Sequence, residues 1–225
     1  MKKLLAAIIA AALLLSGCSL SSRPAVSAPP AETPSPSQTP IVTPTPAPEP
    51  SDDELVLVRD YIPGIFIDLK YATTDNFTGQ IIYDSDEAYL RYGTVKKLLA
   101  AQNELSGRGL SLKIWDAYRP VSAQFKLWEI CPNPVYVSDP NNGYSKHSRA
   151  NTVDITLVTS TGESIPMPSG FDDFTSLADR DYSDVSAEAA ENARLLESVM
   201  VENGFVPYSG EWWHYSDSVS YDVYG

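Results

Sequence analysis

The 225-residue chain contains only two histidines, and each has a carboxylate close by in sequence. His147 stands seven residues before Asp154, and His214 three residues after Glu211. Two imidazoles and one carboxylate form a three-donor set suited to a catalytic zinc, with a fourth position left to water. A further carboxylate beside that water would serve as its base. These residue types imply metal-assisted hydrolysis with one Zn2+ per chain. A blander reading stands beside each motif. The His147-x6-Asp154 spacing also fits a surface histidine and an unrelated strand aspartate. His214, in Glu211-Trp212-Trp213-His214, also fits a core histidine among aromatic rings. Glu211 weighs against the second reading, because a buried carboxylate needs a charged or hydrogen-bonded partner.

Arg119 is the third candidate, in Trp115-Asp116-Ala117-Tyr118-Arg119-Pro120. A cation at the end of a strand can bind a carboxylate or stabilise a tetrahedral oxyanion. An ion pair with Asp116 is the structural alternative.

The elements that must position these residues follow from periodicity and turn signals. Short apolar runs at Leu55–Arg59 and Ile65–Lys70, broken by Pro63-Gly64, predict strands. Helical spacing predicts helices over Arg91–Leu105 and Ser122–Ile130, with a strand over Leu110–Trp115 between them. A β-branched run, Val153–Val158, predicts a strand that carries Asp154. Ser186–Asn203 reads as a helix with Ser186 as N-cap, Ala189, Ala193, Leu196 and Met200 as its apolar stripe, and Gly204 beyond its end. Phe205–Tyr208 and Trp212–Tyr215 predict a closing hairpin around Ser209-Gly210. In an extended segment Glu211 and His214 would face opposite sides, so a bend must bring them together. The mixture without βαβ alternation predicts an α+β single domain, an antiparallel sheet flanked by helices.

Together the motifs resemble the VanX-type D-alanyl-D-alanine dipeptidases, zinc D,D-peptidases that share a fold with hedgehog and lysostaphin-like proteins. The resemblance rests on Ser145-x-His147-x6-Asp154, Glu211-x2-His214 and Asp116-x-Tyr118-Arg119. It extends to Leu69-Lys70-Tyr71-Ala72-Thr73-Thr74-Asp75-Asn76-Phe77-Thr78-Gly79 and to Pro166-Met167-Pro168-Ser169-Gly170-Phe171-Asp172. It implies that His147, Asp154 and His214 hold zinc. It makes Glu211 the base that activates water and Arg119 the oxyanion stabiliser. Asp172 would pair with the substrate ammonium, and Ser145 would help bind substrate. The implied reaction is hydrolysis of the D-Ala-D-Ala dipeptide. The alternatives are a D,D-carboxypeptidase acting on peptidoglycan stem peptides and a non-catalytic zinc-binding module. The first motif departs from the family pattern, with Ala150 and Thr152 where Gly and Ala are usual. Both are small, so the donors are retained, but a positive φ at Ala150 would strain the loop.

The N-terminus sets the expected compartment. Met1-Lys2-Lys3, the apolar run Leu4–Leu15 and the small residues of Leu15-Ser16-Gly17-Cys18 predict an export signal over residues 1–17. Leu-Ser-Gly-Cys resembles a lipobox, with Cys18 lipidated; an uncleaved anchor or an ordinary signal peptide is the alternative. Ten of the 18 prolines fall between Pro24 and Pro50, so residues 18–54 read as a disordered Pro/Ser/Thr-rich tether. Residues 55–225 then form the zinc D,D-dipeptidase domain, long enough for one core. Its net charge of −11 argues against nucleic acid as a partner. The expected location is the outer face of the cell membrane, held by the lipid anchor, with a role in cell-wall turnover. Cys131 is the domain's one cysteine, which precludes a disulfide within it.

Overall fold

Apolar and β-branched runs bounded by turn residues give seven strands, and helical periodicity gives four helices, among the described residues. A computed structural model describes residues 48–225, and Ala47–Gly225 is one compact unit. The export signal, Cys18 and most of the proline-rich segment lie outside the described residues. In chain order the elements are β1 (Leu55–Leu57), α1 (Val58–Tyr61), β2 (Phe66–Ile67), β3 (Tyr89–Arg91), α2 (Tyr92–Ser106) and β4 (Leu110–Asp116). There follow α3 (Val121–Ile130), β5 (Thr152–Thr159), α4 (Ala187–Glu202), β6 (Phe205–Tyr208) and β7 (Glu211–Asp217). The fold class is α+β, as expected.

The five-stranded sheet runs β2-β4-β5-β7-β6, and β1 pairs with β3 in a separate two-stranded ribbon. The sheet is mixed rather than antiparallel throughout, because β2 lies parallel to β4. The first two expected strands are also shorter than their apolar runs. Val58 begins a helical turn directly after β1, and Leu69 leads into a 3-10 turn at Lys70–Ala72. Propensity yields here to tertiary context, since a strand needs a partner along its whole length.

The long elements form where periodicity places them. In α4, Ser186 Oγ accepts the Ala189 N–H at 3.1 Å, and Ala189, Ala193, Leu196 and Met200 are buried. Gly204 then takes φ 86°, a left-handed turn that glycine adopts at little cost. Helices α2 and α4 touch each other and the sheet. Along β5 the period of two places Asp154 on the face opposite Val153 and Ile155.

Register does the positioning. Asp116 on β4 is paired with Asp154 on β5, and Asp154 with His214 on β7, so three chemical side chains form one row across three strands. The bend required near Glu211 is a bulge. Pro207 pairs with Tyr215 and Tyr208 with Glu211, so Trp212, Trp213 and His214 have no counterpart on β6. His147 comes from outside the sheet, in a 3-10 turn at Lys146–Arg149 just before β5. That turn ends at Ala150 with φ 57° and ψ 29°, so the strain condition at this position is met.

Ala150 is fully buried. The left-handed conformation costs an L-residue about 1–2 kcal/mol, against about 0.8 kcal/mol for burying its methyl. Ala150→Gly is therefore expected to be neutral or to stabilise by up to about 1 kcal/mol. Ala150→Val, β-branched in a filled space, should destabilise by about 2 kcal/mol or more. Denaturant unfolding of the two variants checks both. A clear loss of stability in the glycine variant would show that the methyl matters more than the backbone.

Candidate metal centre

His147, Asp154 and His214 each offer a donor atom, and these atoms lie within 4.8 Å of one another. His147 Nε2 is 3.4 Å from His214 Nδ1 and 3.3 Å from Asp154 Oδ2, and His214 Nδ1 is 2.9 Å from Asp154 Oδ1. Ligand atoms bound tetrahedrally at zinc distances stand about 3.3 Å apart. Each pair of donor groups therefore stands near zinc-ligand spacing, with Asp154 turning a different oxygen to each imidazole.

The first imidazole is fixed from behind. His147 Nδ1 lies 2.8 Å from the Ala117 carbonyl, which can only accept, so the proton sits on Nδ1 and the Nε2 lone pair faces the other donors. The turn that carries it is braced. Ser145 Oγ accepts the His147 N–H at 3.3 Å, and the His147 carbonyl accepts the N–H groups of Arg119 and Ala150. Ser145 is thus brought beside the donors, and its hydroxyl caps their turn.

Asp116 holds more of the site together than its sequence context suggested. It is fully buried. Its carboxylate accepts the Tyr83 hydroxyl and the Ala117 N–H, and takes Arg119 Nε at 3.2 Å and Nη2 at 2.6 Å. It also lies 3.5 Å from His147 Nδ1. The ion pair weighed as an alternative role for Arg119 is therefore present. It leaves the guanidinium with donors to spare. Nη1 bonds Gln124 Oε1 at 3.0 Å, so three of the five N–H groups are used and two remain. The guanidinium also stacks 5.0 Å from the Tyr71 ring.

Glu211 reaches the same point from the edge of the bulge, with Oε2 3.5 Å from His214 Nδ1. Asp172 faces the cluster too, and its Oδ2 accepts the Tyr71 hydroxyl at 2.7 Å. Asp172 sits at φ 53°, a second left-handed residue bordering the site. Tyr71, Tyr83 and Gln124 were not singled out from sequence as site residues. Tyr71 lies within the Leu69–Gly79 segment noted above, whereas Tyr83 and Gln124 carry no local signal.

Charge crowding shows in the acid–base properties. Burial pushes the Glu211 carboxyl up to about 8, with the Asp154 and Asp172 charges adding to it. Burial likewise raises Asp172 to about 7, against the Tyr71 hydrogen bond. Burial also opposes ionisation of Asp154, but the two imidazoles outweigh it and hold that carboxyl well below its ordinary range. His147 is raised, because Asp154 and Asp116 overcome its burial, whereas burial leaves His214 lowered.

The raised Glu211 carboxyl has a stability consequence in the metal-free protein. The folded chain holds this proton more tightly than the unfolded chain, so the residue's contribution falls as pH rises from about 4.5 to about 8. Glu211→Gln removes that loss. The metal-free variant should melt above the metal-free parent at about pH 8.5, with the gain shrinking towards about pH 5. Equal gains at both pH values would contradict the assignment.

The family description "D-ala-D-ala dipeptidase" (Peptidase_M15) matches residues 51–221. The D-alanyl-D-alanine dipeptidase of Escherichia coli (strain K12) is 39% identical over 162 residues, covering 72% of this chain and 83% of that protein. The D-alanyl-D-alanine dipeptidase of Enterococcus faecium is 35% identical over 176 residues, covering 69% of this chain and 87% of that protein. Among solved structures, VanYB in complex with D-Alanine-D-Alanine has a TM-score of 0.39 at 16% identity, covering 59% of this chain and 74% of that one. The chain belongs to the D-Ala-D-Ala dipeptidase family and is, by that membership, a peptidase.

Proposed function

We propose that the chain hydrolyses the D-Ala-D-Ala dipeptide with one zinc ion held by His147, Asp154 and His214. The observation that carries this reading is the convergence of Glu211 on three donor groups whose donor atoms lie within 4.8 Å of one another. Zinc there would supply Lewis-acid activation of a water and of the peptide carbonyl at its open position. Glu211 takes the proton from the attacking water, and its raised proton affinity suits that task near neutral pH. The scissile C–N bond then breaks, and the Glu211 carboxyl returns the proton to the leaving amine. The two N–H donors that Arg119 has left are available to the oxygen that gains charge. Asp172 offers a carboxylate to the ammonium of a zwitterionic dipeptide. Ser145 stands beside the first donor, where its hydroxyl can meet substrate.

Enclosure supports a small substrate. The side chains of His147, Asp154 and His214 are 3%, 5% and 12% exposed, which suits a dipeptide better than a polymer. The leader and Cys18 read from the sequence extend the proposal to a lipid-anchored enzyme outside the cytoplasm, where released dipeptide from cell-wall turnover is the accessible substrate. The compact unit Ala47–Gly225 is then the working domain, and the chain from Cys18 up to it the tether.

The test is release of D-Ala from D-Ala-D-Ala by the full chain, beside a muropeptide substrate. Activity should vanish on chelation and return with zinc. Glu211→Ala should lower kcat by about 10²–10⁴, and Arg119→Ala by about 10²–10³. Undiminished activity in Glu211→Ala, or cleavage of muropeptide but not dipeptide, would overturn the reading.

A further inference from the structure

The bulge in β7 brings Glu211 and His214 to one point, and a bulge leaves backbone groups without ladder partners. Arg180 binds carbonyls at the two ends of this bulge. It lies in the segment between the 3-10 turn Ser176–Ala178 and α4. Its Nη2 donates to the carbonyls of both Glu211, at 3.0 Å, and His214, at 3.2 Å. Its Nε donates to the Tyr208 carbonyl at 2.8 Å, on the strand that pairs with Glu211. Its Nη1 donates to Glu197 Oε2 at 2.9 Å and to the Tyr215 hydroxyl at 3.1 Å. The guanidinium lies 4.7 Å from the Tyr215 ring and its side chain is 11% exposed.

We infer that Arg180 is a positioning residue for the reaction, setting the separation of Glu211 and His214 by clamping the two ends of the bulge from behind. The inference rests on the roles proposed above for those two residues. A guanidinium has five N–H donors in a rigid fork, and all five contacts here are to different groups around the bulge. Three of the acceptors are backbone carbonyls, and two of these belong to the very residues that carry the proposed base and one proposed metal donor. The donors match main-chain geometry rather than a side-chain partner, so the ion pair with Glu197 is one contact among five. An ammonium cannot span these acceptors.

The expected behaviour separates positioning from general stability. At a temperature well below melting, Arg180→Lys and Arg180→Ala should lower kcat for D-Ala-D-Ala by about 10–100-fold, with KM changed much less. Zinc affinity, measured by competition with a chromogenic chelator, should weaken by about tenfold or more in both. Added guanidinium ion should restore part of the kcat of Arg180→Ala. Glu197→Gln, which removes only the ion pair, should leave kcat and zinc affinity unchanged. Arg180→Lys with parental kcat and zinc affinity would overturn the inference, as would a loss in Glu197→Gln equal to that in Arg180→Lys. If the parent lacks dipeptidase activity, the proposed function fails, while the zinc titration still decides the role of Arg180.

Discussion

One constraint governs the site: four carboxylates crowd around the two imidazoles against one permanent cation. Asp116, Asp154, Asp172 and Glu211 contribute the acids, and Arg119 the guanidinium. Carboxylates removed from water repel one another strongly unless something offsets them. Within the protein, the imidazoles, Arg119 and the Tyr71 and Tyr83 hydroxyls offset part of the charge. Burial, with the remaining repulsion adding to it, raises the proton affinity of Asp172 and Glu211. A divalent cation among the donors would lower that repulsion, so the same crowding that costs stability favours metal. The acids also divide by environment. Asp154 lies between two imidazoles and stays ionised, which suits the donor role proposed for it. Glu211 has carboxylate neighbours and holds a proton more readily, as a base that later acts as an acid must.

The site is built from register. A row across β4, β5 and β7 sets Asp116, Asp154 and His214 side by side, and a one-residue slip of any strand would send its side chain to the opposite face. That dependence explains which features were legible in the sequence. His147-x6-Asp154 and Glu211-x2-His214 are local patterns, so the donors stood out without a fold. The long helices and β5 were legible because each carries a strong period. The parallel pairing of β2 was not, since a two-residue strand has no period and its partner lies far along the chain. The need for a bend at Glu211 followed from alternation, but its form did not. A bulge is defined by the strand opposite, and Arg180, which donates to carbonyls at both ends of it, has no sequence signal of its own. Asp116 was visible only as a neighbour of Arg119. Its contacts with Tyr83 and His147 exist only once three separated segments meet.

Short irregular segments carry the two imidazoles, and each segment is held by contacts to its backbone. The His147 turn is tied on several sides: Arg91 Nε donates to the Arg149 carbonyl at 3.1 Å, and the Tyr224 N–H donates to the Ser148 carbonyl at 2.9 Å. Arg149 Nη1 in turn donates to the Tyr221 carbonyl at 2.7 Å, so the C-terminal segment is fastened to the same turn. Arg180 serves the β7 bulge in the corresponding way. Three arginines outside the donor set, Arg91, Arg149 and Arg180, thus restrain the two irregular segments on which the imidazoles sit, while regular strand register restrains Asp154.

Strain fits the same logic. The two left-handed residues Ala150 and Asp172 border the site, one ending the His147 turn and one presenting a carboxylate. Such conformations persist only where surrounding contacts over-determine them. At Asp172 the residue type tolerates the region, and its side chain is engaged by Tyr71, so the backbone cost is tied to a chemical group. At Ala150 the residue offers no polar group to justify the conformation. It belongs to the geometry of the turn: the chain leaves a 3-10 turn and enters β5 within two residues, and the left-handed step makes that reversal while the Ala150 N–H still caps the His147 carbonyl. The strain is therefore a property of the path between the first donor and the second. Along that path His147 Nε2 comes to 3.3 Å from Asp154 Oδ2, so the backbone cost at position 150 falls on the segment that brings the two side chains together.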